Sequence, residues 1–167
     1  MLSNDGKTLA AIRTTYAEPT LKRELVLIDL STQELKAVAA ADVPDQLAWS
    51  PGGGLFYSTQ TKKGALTANL TTQQKANFEK IFSTADLDVQ TNEVSIHLLN
   101  VTSGEDKVLY TADAFAIGRM VSTIDGQALI FSQIANMDKW VQGMGDGTLD
   151  VINDSDGSLQ RAAVPVT

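Results

Sequence analysis

The chain has 167 residues, long enough to bury one hydrophobic core without covalent staples. It contains no cysteine and a single histidine, which excludes thiol catalysis, disulfides and cysteine-ligated zinc. Twenty acidic against thirteen basic residues give a net charge of −7, and this disfavours a nucleic-acid partner, because phosphate backbones are gripped by clustered Lys and Arg.

The chain opens on Met1-Leu-Ser-Asn-Asp-Gly6, without the basic-then-apolar pattern of a secretory signal. Its most apolar short runs, Leu25-Val-Leu-Ile28 and Val38-Ala-Ala-Ala41, fall far short of the roughly 18 residues of a membrane span, so no membrane insertion is expected within the chain. Ser3-Asn-Asp-Gly-Lys-Thr-Leu9 is a turn signal leading into a strand at Leu9–Arg13. A connection at 14–24, carrying Tyr16, leads to a second strand beginning at Leu25. That strand ends in Asp29-Leu-Ser-Thr-Gln-Glu34, a polar reversal, and a returning strand follows at Leu35–Ala39.

The same order then recurs. Gln46–Ser50 reads as a strand, Ser50-Pro-Gly-Gly-Gly-Leu-Phe56 as a turn into Leu55–Thr59, Val94-Ser-Ile-His-Leu-Leu-Asn100 as a strand ending at a turn, and Lys107–Thr111 as its return. A third pass gives Phe115–Ser122, Ser122-Thr-Ile-Asp-Gly-Gln-Ala-Leu129 leading into Ala128–Ser132, Leu149-Asp-Val-Ile-Asn-Asp-Ser-Asp-Gly157, and Leu159–Val164. The predicted units span about 1–40, 46–111 with an insert at 61–93, and 115–165, within one domain over 1–167. Four short antiparallel strands per unit make a β-propeller blade. The expected fold is therefore all-β, with about three blades, an incomplete ring, a first blade whose innermost strand falls before Met1, and a short helical insertion. A β-sandwich is the alternative, since it also shows many short strands with turn signals.

Leu47-Ala-Trp-Ser-Pro-Gly-Gly-Gly-Leu-Phe56 and Leu2-Ser-Asn-Asp-Gly-Lys-Thr-Leu-Ala10 resemble the x-W-S-P-D-G-K-x-L-A core of the WD40-like repeats of TolB-type proteins. The second unit departs from it with Gly52 in place of Asp, and the third lacks the Ser-Pro pair; the Gly-His and Trp-Asp marks of true WD40 repeats are absent. The resemblance implies a module that binds protein or peptide partners over one face of a disc, in an extracytoplasmic setting, as a fragment of a longer protein. Pairing with another copy is the other way to complete the ring, since propellers have about 4–8 blades. Two further readings are the accessory propeller of a prolyl-oligopeptidase-like hydrolase and the ectodomain of a membrane-tethered sensor.

Loop length locates the expected binding face. The connections near 14–24, 60–93 and 133–148 are long and share one face by blade topology, whereas the turns on the other face are short. Within them, Thr71-Thr-Gln-Gln-Lys-Ala-Asn-Phe-Glu-Lys-Ile-Phe-Ser83 reads as a short helix with Phe78, Ile81 and Phe82 on one side. Met137-Asp-Lys-Trp-Val-Gln-Gly-Met-Gly-Asp-Gly147 offers an adaptable apolar contact; the alternatives are that Trp140 caps the core between blades and that the helix aromatics dock the insert onto the blades. The candidate partner-binding residues are Tyr16, Phe78, Phe82, Met137, Trp140 and Met144.

No catalytic, metal-binding or cofactor residue is assigned, and the protein is not expected to be an enzyme. Gly143-Met-Gly-Asp-Gly147 lacks the spacing of a phosphate-binding loop. Matching Gly157 to the invariant glycine of an EF-hand puts Ile152 and Ala163 at ligand positions, which excludes that motif. A looser calcium site at Asp154 and Asp156 is the alternative to a plain turn. His97 sits mid-strand, without a G-x-S-x-G elbow anywhere, and reads as a packed or surface strand residue. Three sequons, at Asn69, Asn100 and Asn153, matter only in a glycosylating host.

Overall fold

A computed structural model describes residues 1–17, 20–38, 43–65, 71–73, 76, 79–80, 90–126, 128–134, 148–153 and 159–163. Eleven strands run in chain order: β1 (Thr8–Ala17), β2 (Thr20–Asp29), β3 (Leu35–Val38), β4 (Val43–Trp49), β5 (Gly54–Ala65), β6 (Gln90–Asn100), β7 (Asp106–Ala114), β8 (Ala116–Ser122), β9 (Ala128–Ile134), β10 (Thr148–Asn153) and β11 (Leu159–Ala163). They form three antiparallel meanders, β1-β2-β3, β4-β5-β6-β7 and β8-β9-β10-β11. The fold is all-β, in propeller-type blades that leave the ring incomplete. Helical backbone at 72–73, 76 and 79–80 lies where the short helix was predicted.

The recurring turn signals produce recurring geometry. In the first turn of each blade the leading hydroxyl residue accepts from the glycine three positions on: Gly6 N–H to Ser3 O, Gly53 N–H to Ser50 O and Gly126 N–H to Thr123 O. These glycines have φ of 72°, 86° and 71°, a left-handed conformation that costs an L side chain. Asp5 and Asp125 brace two of the turns by accepting from Ser3 Oγ and Thr123 Oγ1. The middle turn, with Gly52 in that place, keeps the same backbone bonds without the brace.

The second hairpins repeat as well. Asp29 Oδ1 accepts the Ser31 and Thr32 N–H groups, and Asn100 Oδ1 accepts those of Thr102 and Ser103. Each reversal closes on a left-handed residue, Gln33 at φ 61° and Gly104 at φ 78°. The strand-ending Asx residues noted in the sequence thus set these turns.

Period-2 alternation along the central blade sorts its side chains onto two neighbours. Ala48, Phe56, Val94 and Ile96 face the third blade, joining Ile117, Met120, Leu129 and Phe131 in one buried cluster. Trp49, Leu55, Tyr57 and Leu99 face the first blade and join Ala10, Leu25 and Leu27. The central sheet is therefore covered on both sides, which explains its near-continuous apolar runs. Polar ties reinforce both contacts: Trp49 Nε1 donates to Met1 O at 3.0 Å, and Tyr110 Oη donates to Gln133 Oε1 at 2.5 Å.

Three boundaries differ from expectation. The connection at 14–24 is not a loop, because β1 and β2 stay paired as far as Ala17 and Thr20. Thr14, Thr15 and Tyr16, all strand formers, carry the ladder onward. The insert at 61–93 is shorter for the same reason, since β5 and β6 pair out to Ala65 and Gln90 beyond a bulge at Lys62/Gly64. The innermost strand of the first blade is not wholly missing: Leu2 bridges Leu9, and Ala10 N–H donates to Met1 O.

Candidate functional site

The first-turn ends of neighbouring blades meet, because Asn4 Nδ2 donates to Ser50 O at 3.3 Å. The opposite ends of β1–β2 and β5–β6 therefore share the other face. Both hairpins reach past the strands that flank them. β3 pairs with β2 only over Leu25–Ile28, so the register pairs from Arg13↔Glu24 to Ala17↔Thr20 stand clear of it as an arm. β4 covers β5 only up to Gln60 and β7 follows β6 out to Asn92, so the second arm is free on its β5 side from Thr61 and clear of both flanking strands at Gly64 and Ala65.

Charge pairs hold the arms straight. On the first, Arg13 Nη2 and Lys22 Nζ lie 2.7 and 2.8 Å from the Glu24 carboxylate. Lys22 and then Arg13 hold that carboxyl below its ordinary range. Arg23 Nη1 lies 3.0 Å from Asp45 Oδ1 on β4 and so ties the arm to the central blade. On the second, Lys63 Nζ stands 2.8 Å from both Asp113 Oδ1 and Glu93 Oε2. One ammonium thus bridges β5, β6 and β7, and Asp113 and then Glu93 raise its proton affinity above the usual lysine value. Tyr16, near the tip of the first arm, is 70% exposed.

Of the six residues predicted to bind a partner, Tyr16 is the one the structure places, on the exposed first arm. Phe78, Phe82, Met137, Trp140 and Met144 lie outside the described residues, as do Asp154 and Asp156. The charged arm residues were not among the predicted contacts: Arg13 ended a predicted strand, while Lys22, Glu24, Lys63 and Glu93 fell in segments taken for connections. The signal present was the run of strand formers Thr14, Thr15 and Tyr16 answered by Thr20 and Leu21.

The lone histidine has a richer setting than its sequence position suggested. The His97 ring stacks on Tyr57, with centroids 4.6 Å apart and planes 18° from parallel. Its Nδ1 lies 3.2 Å from Asp106 Oδ2, which also accepts the Tyr57 hydroxyl at 2.6 Å, and its Nε2 lies 3.3 Å from Thr59 Oγ1. Carboxylate, imidazole and hydroxyl stand in the order of a nucleophile relay. Thr59 is only 2% exposed, however, so no substrate can approach its oxygen, and the group serves as a packed polar network. A cleft of about 210 Å³ between the first two blades has Asp106, Lys36, Leu27 and Val101 in its lining. Among the described residues no cluster of three or more His, Asp or Glu could hold a metal ion.

Blades and turns together define a β-propeller-type scaffold. The particular structures it is similar to are TolB from Acinetobacter baumannii and an oligogalacturonate lyase solved in complex with manganese. Against TolB the TM-score is 0.55 at 16% identity, covering 96% of this chain and 30% of that one. Against the lyase it is 0.54 at 14% identity, covering 96% of this chain and 38% of that one. This chain thus spans about a third of each, and the likeness shows the fold alone. No protein-family pattern and no curated protein matches it by sequence. Among the described residues no helix is long and apolar enough to cross a membrane.

Proposed function

We propose that this chain is a non-catalytic module that binds a protein or peptide partner on the face carrying the two arms. The observation that carries the proposal is the extension of β1–β2 and β5–β6 beyond their own blades on one side, with an exposed tyrosine and charges of both signs. Large aromatics dominate interface energetics, and charges of both signs confer orientation. An extracytoplasmic location belongs to the same reading and rests on the likeness to TolB. The lyase neighbour brings catalysis into view, but the one carboxylate–imidazole–hydroxyl series described ends in the buried Thr59 hydroxyl, which favours binding.

Selection of a random-peptide phage library against the folded chain tests the reading. Peptides that bind the arm face should lose at least tenfold in affinity to Tyr16→Ala and to Arg13→Glu, with β-sheet circular dichroism unaltered. Selected peptides indifferent to both substitutions would overturn it.

A further inference from the structure

The first turn of the central blade lacks a group that its two counterparts carry. In the first blade Ser3 Oγ accepts the Thr8 N–H at 2.9 Å and donates to Asp5 Oδ1 at 2.7 Å. In the third, Thr123 Oγ1 accepts the Ala128 N–H at 3.0 Å and donates to Asp125 Oδ1 at 2.6 Å. In the middle turn Ser50 Oγ accepts the Gly52 N–H at 3.3 Å, but among the described residues nothing accepts its hydrogen. Ser50 is only 4% exposed, and a buried hydroxyl left without an acceptor is costly.

Space is open where the missing carboxylate would lie. A cavity of about 370 Å³ has Ser50, Gly52, Gly54, Leu98, Asn100 and Thr102 in its lining. Gly52 holds the place of Asp5 and Asp125, and a Cβ there would meet only Ser50 Oγ, at 3.7 Å. Leu98 supplies an apolar wall, with its Cδ1 2.8 Å from where a Cβ on Gly54 would stand. Asn100 spends its Oδ1 on the Thr102 and Ser103 N–H groups, while its Nδ2 and the Thr102 hydroxyl donate to no described group. No lining residue is charged, so no carboxylate in the wall repels an anion. The cavity lies inside the run of blades: Leu98 packs on the cluster shared with the third blade, and Pro51 meets that blade's first turn at Gly126.

We infer that this cavity binds a carboxylate ligand. One oxygen accepts from Ser50 Oγ as Asp5 and Asp125 accept in the sister turns, a charge-assisted bond. Asn100 Nδ2 and Thr102 Oγ1 are the further donors, and Leu98 lies against the aliphatic part. The site stands at the first-turn end, away from the arms, so the inference is independent of what they bind.

The test is a nuclear magnetic resonance titration of the isotope-labelled chain with sodium butyrate and with N-acetyl-trialanine, each beside its uncharged primary amide. The acids should shift the Gly52, Gly53 and Thr102 backbone amides saturably, and the uncharged forms should not. Ser50→Ala should weaken binding at least about fivefold, with circular dichroism unaltered. Gly52→Asp supplies the carboxylate from within and should abolish the shifts; Gly52 has no left-handed φ, so aspartate is accommodated. Gly52→Ala adds the Cβ without the charge and should retain them. Should Gly52→Asp fail to fold, Ser50→Ala decides alone. A response to butyrate assigns a small free acid, and a response to the tripeptide alone assigns a peptide C-terminus. No saturable shift with either acid, an equal response to the uncharged forms, or binding undiminished in Gly52→Asp or in Ser50→Ala would overturn the inference.

Discussion

Phe56→Ala tests whether the sheets pack face to face as blades. Phe56 is wholly buried on β5, on the side turned to Ile117, Met120, Leu129 and Phe131 of the third blade. Truncation of a buried Phe costs about 3–5 kcal/mol, from lost burial plus the cavity left behind. Single domains are stable by only about 5–15 kcal/mol, so the loss is a large share of the total. With a urea slope of about 2 kcal/mol per molar, the unfolding midpoint should fall by roughly 1.5–2.5 M, read by far-ultraviolet circular dichroism. Val108→Ala is the control. That side chain is 55% exposed, and its loss should cost no more than about 0.5 kcal/mol. A midpoint shift for Phe56→Ala no larger than the control's would refute the face-to-face packing.

Three other outcomes follow from the turns and the blade connection. Gly53→Ala forces an alanine to φ 86° where its Cβ meets nothing within 4 Å, so the cost is conformational, about 1–2 kcal/mol in a denaturant series. Asn there should cost less. The Asp29 carboxyl is held below its ordinary value, chiefly by the Ser31 hydroxyl and then by the Thr32 and Ser31 N–H groups. Its folded-state value is thus depressed, and its contribution is full above the unfolded value near pH 4 and lost as pH falls through the folded one. Asp29→Asn, which copies Asn100, should keep the turn and reduce the acid-side loss of stability in thermal melts between about pH 2 and 5; an unchanged acid limb would count against that carboxylate. Asn92→Ala removes the buried amide that donates to Phe115 O at 2.7 Å, where the chain passes between blades, and should cost about 1 kcal/mol by urea titration.

The arms stand on the face where β2–β3 and β6–β7 do not turn, and they present polar side chains suited to a reversible partner.

The sequence by itself determined the blades. Gly6, Gly53 and Gly126 announced the first turns because a left-handed backbone excludes most other residues, and Asp29 and Asn100 announced the second because their side chains cap the reversal locally. Both are short-range effects, legible within five or six residues. The arms were misread as loops, because Thr, Lys and Arg in an exposed ladder look like polar connection and only cross-strand pairing distinguishes the two. The partners of His97 were equally out of reach: Tyr57 and Asp106 meet it through register, 40 and nine positions away in the chain. Only the tertiary structure decided which side of each strand is covered. Alternation assigns residues to two faces, but it takes the stacking of one sheet on the next to bury Phe56 on the third blade and Trp49 on the first, and to leave Leu35 and Val121 facing outward.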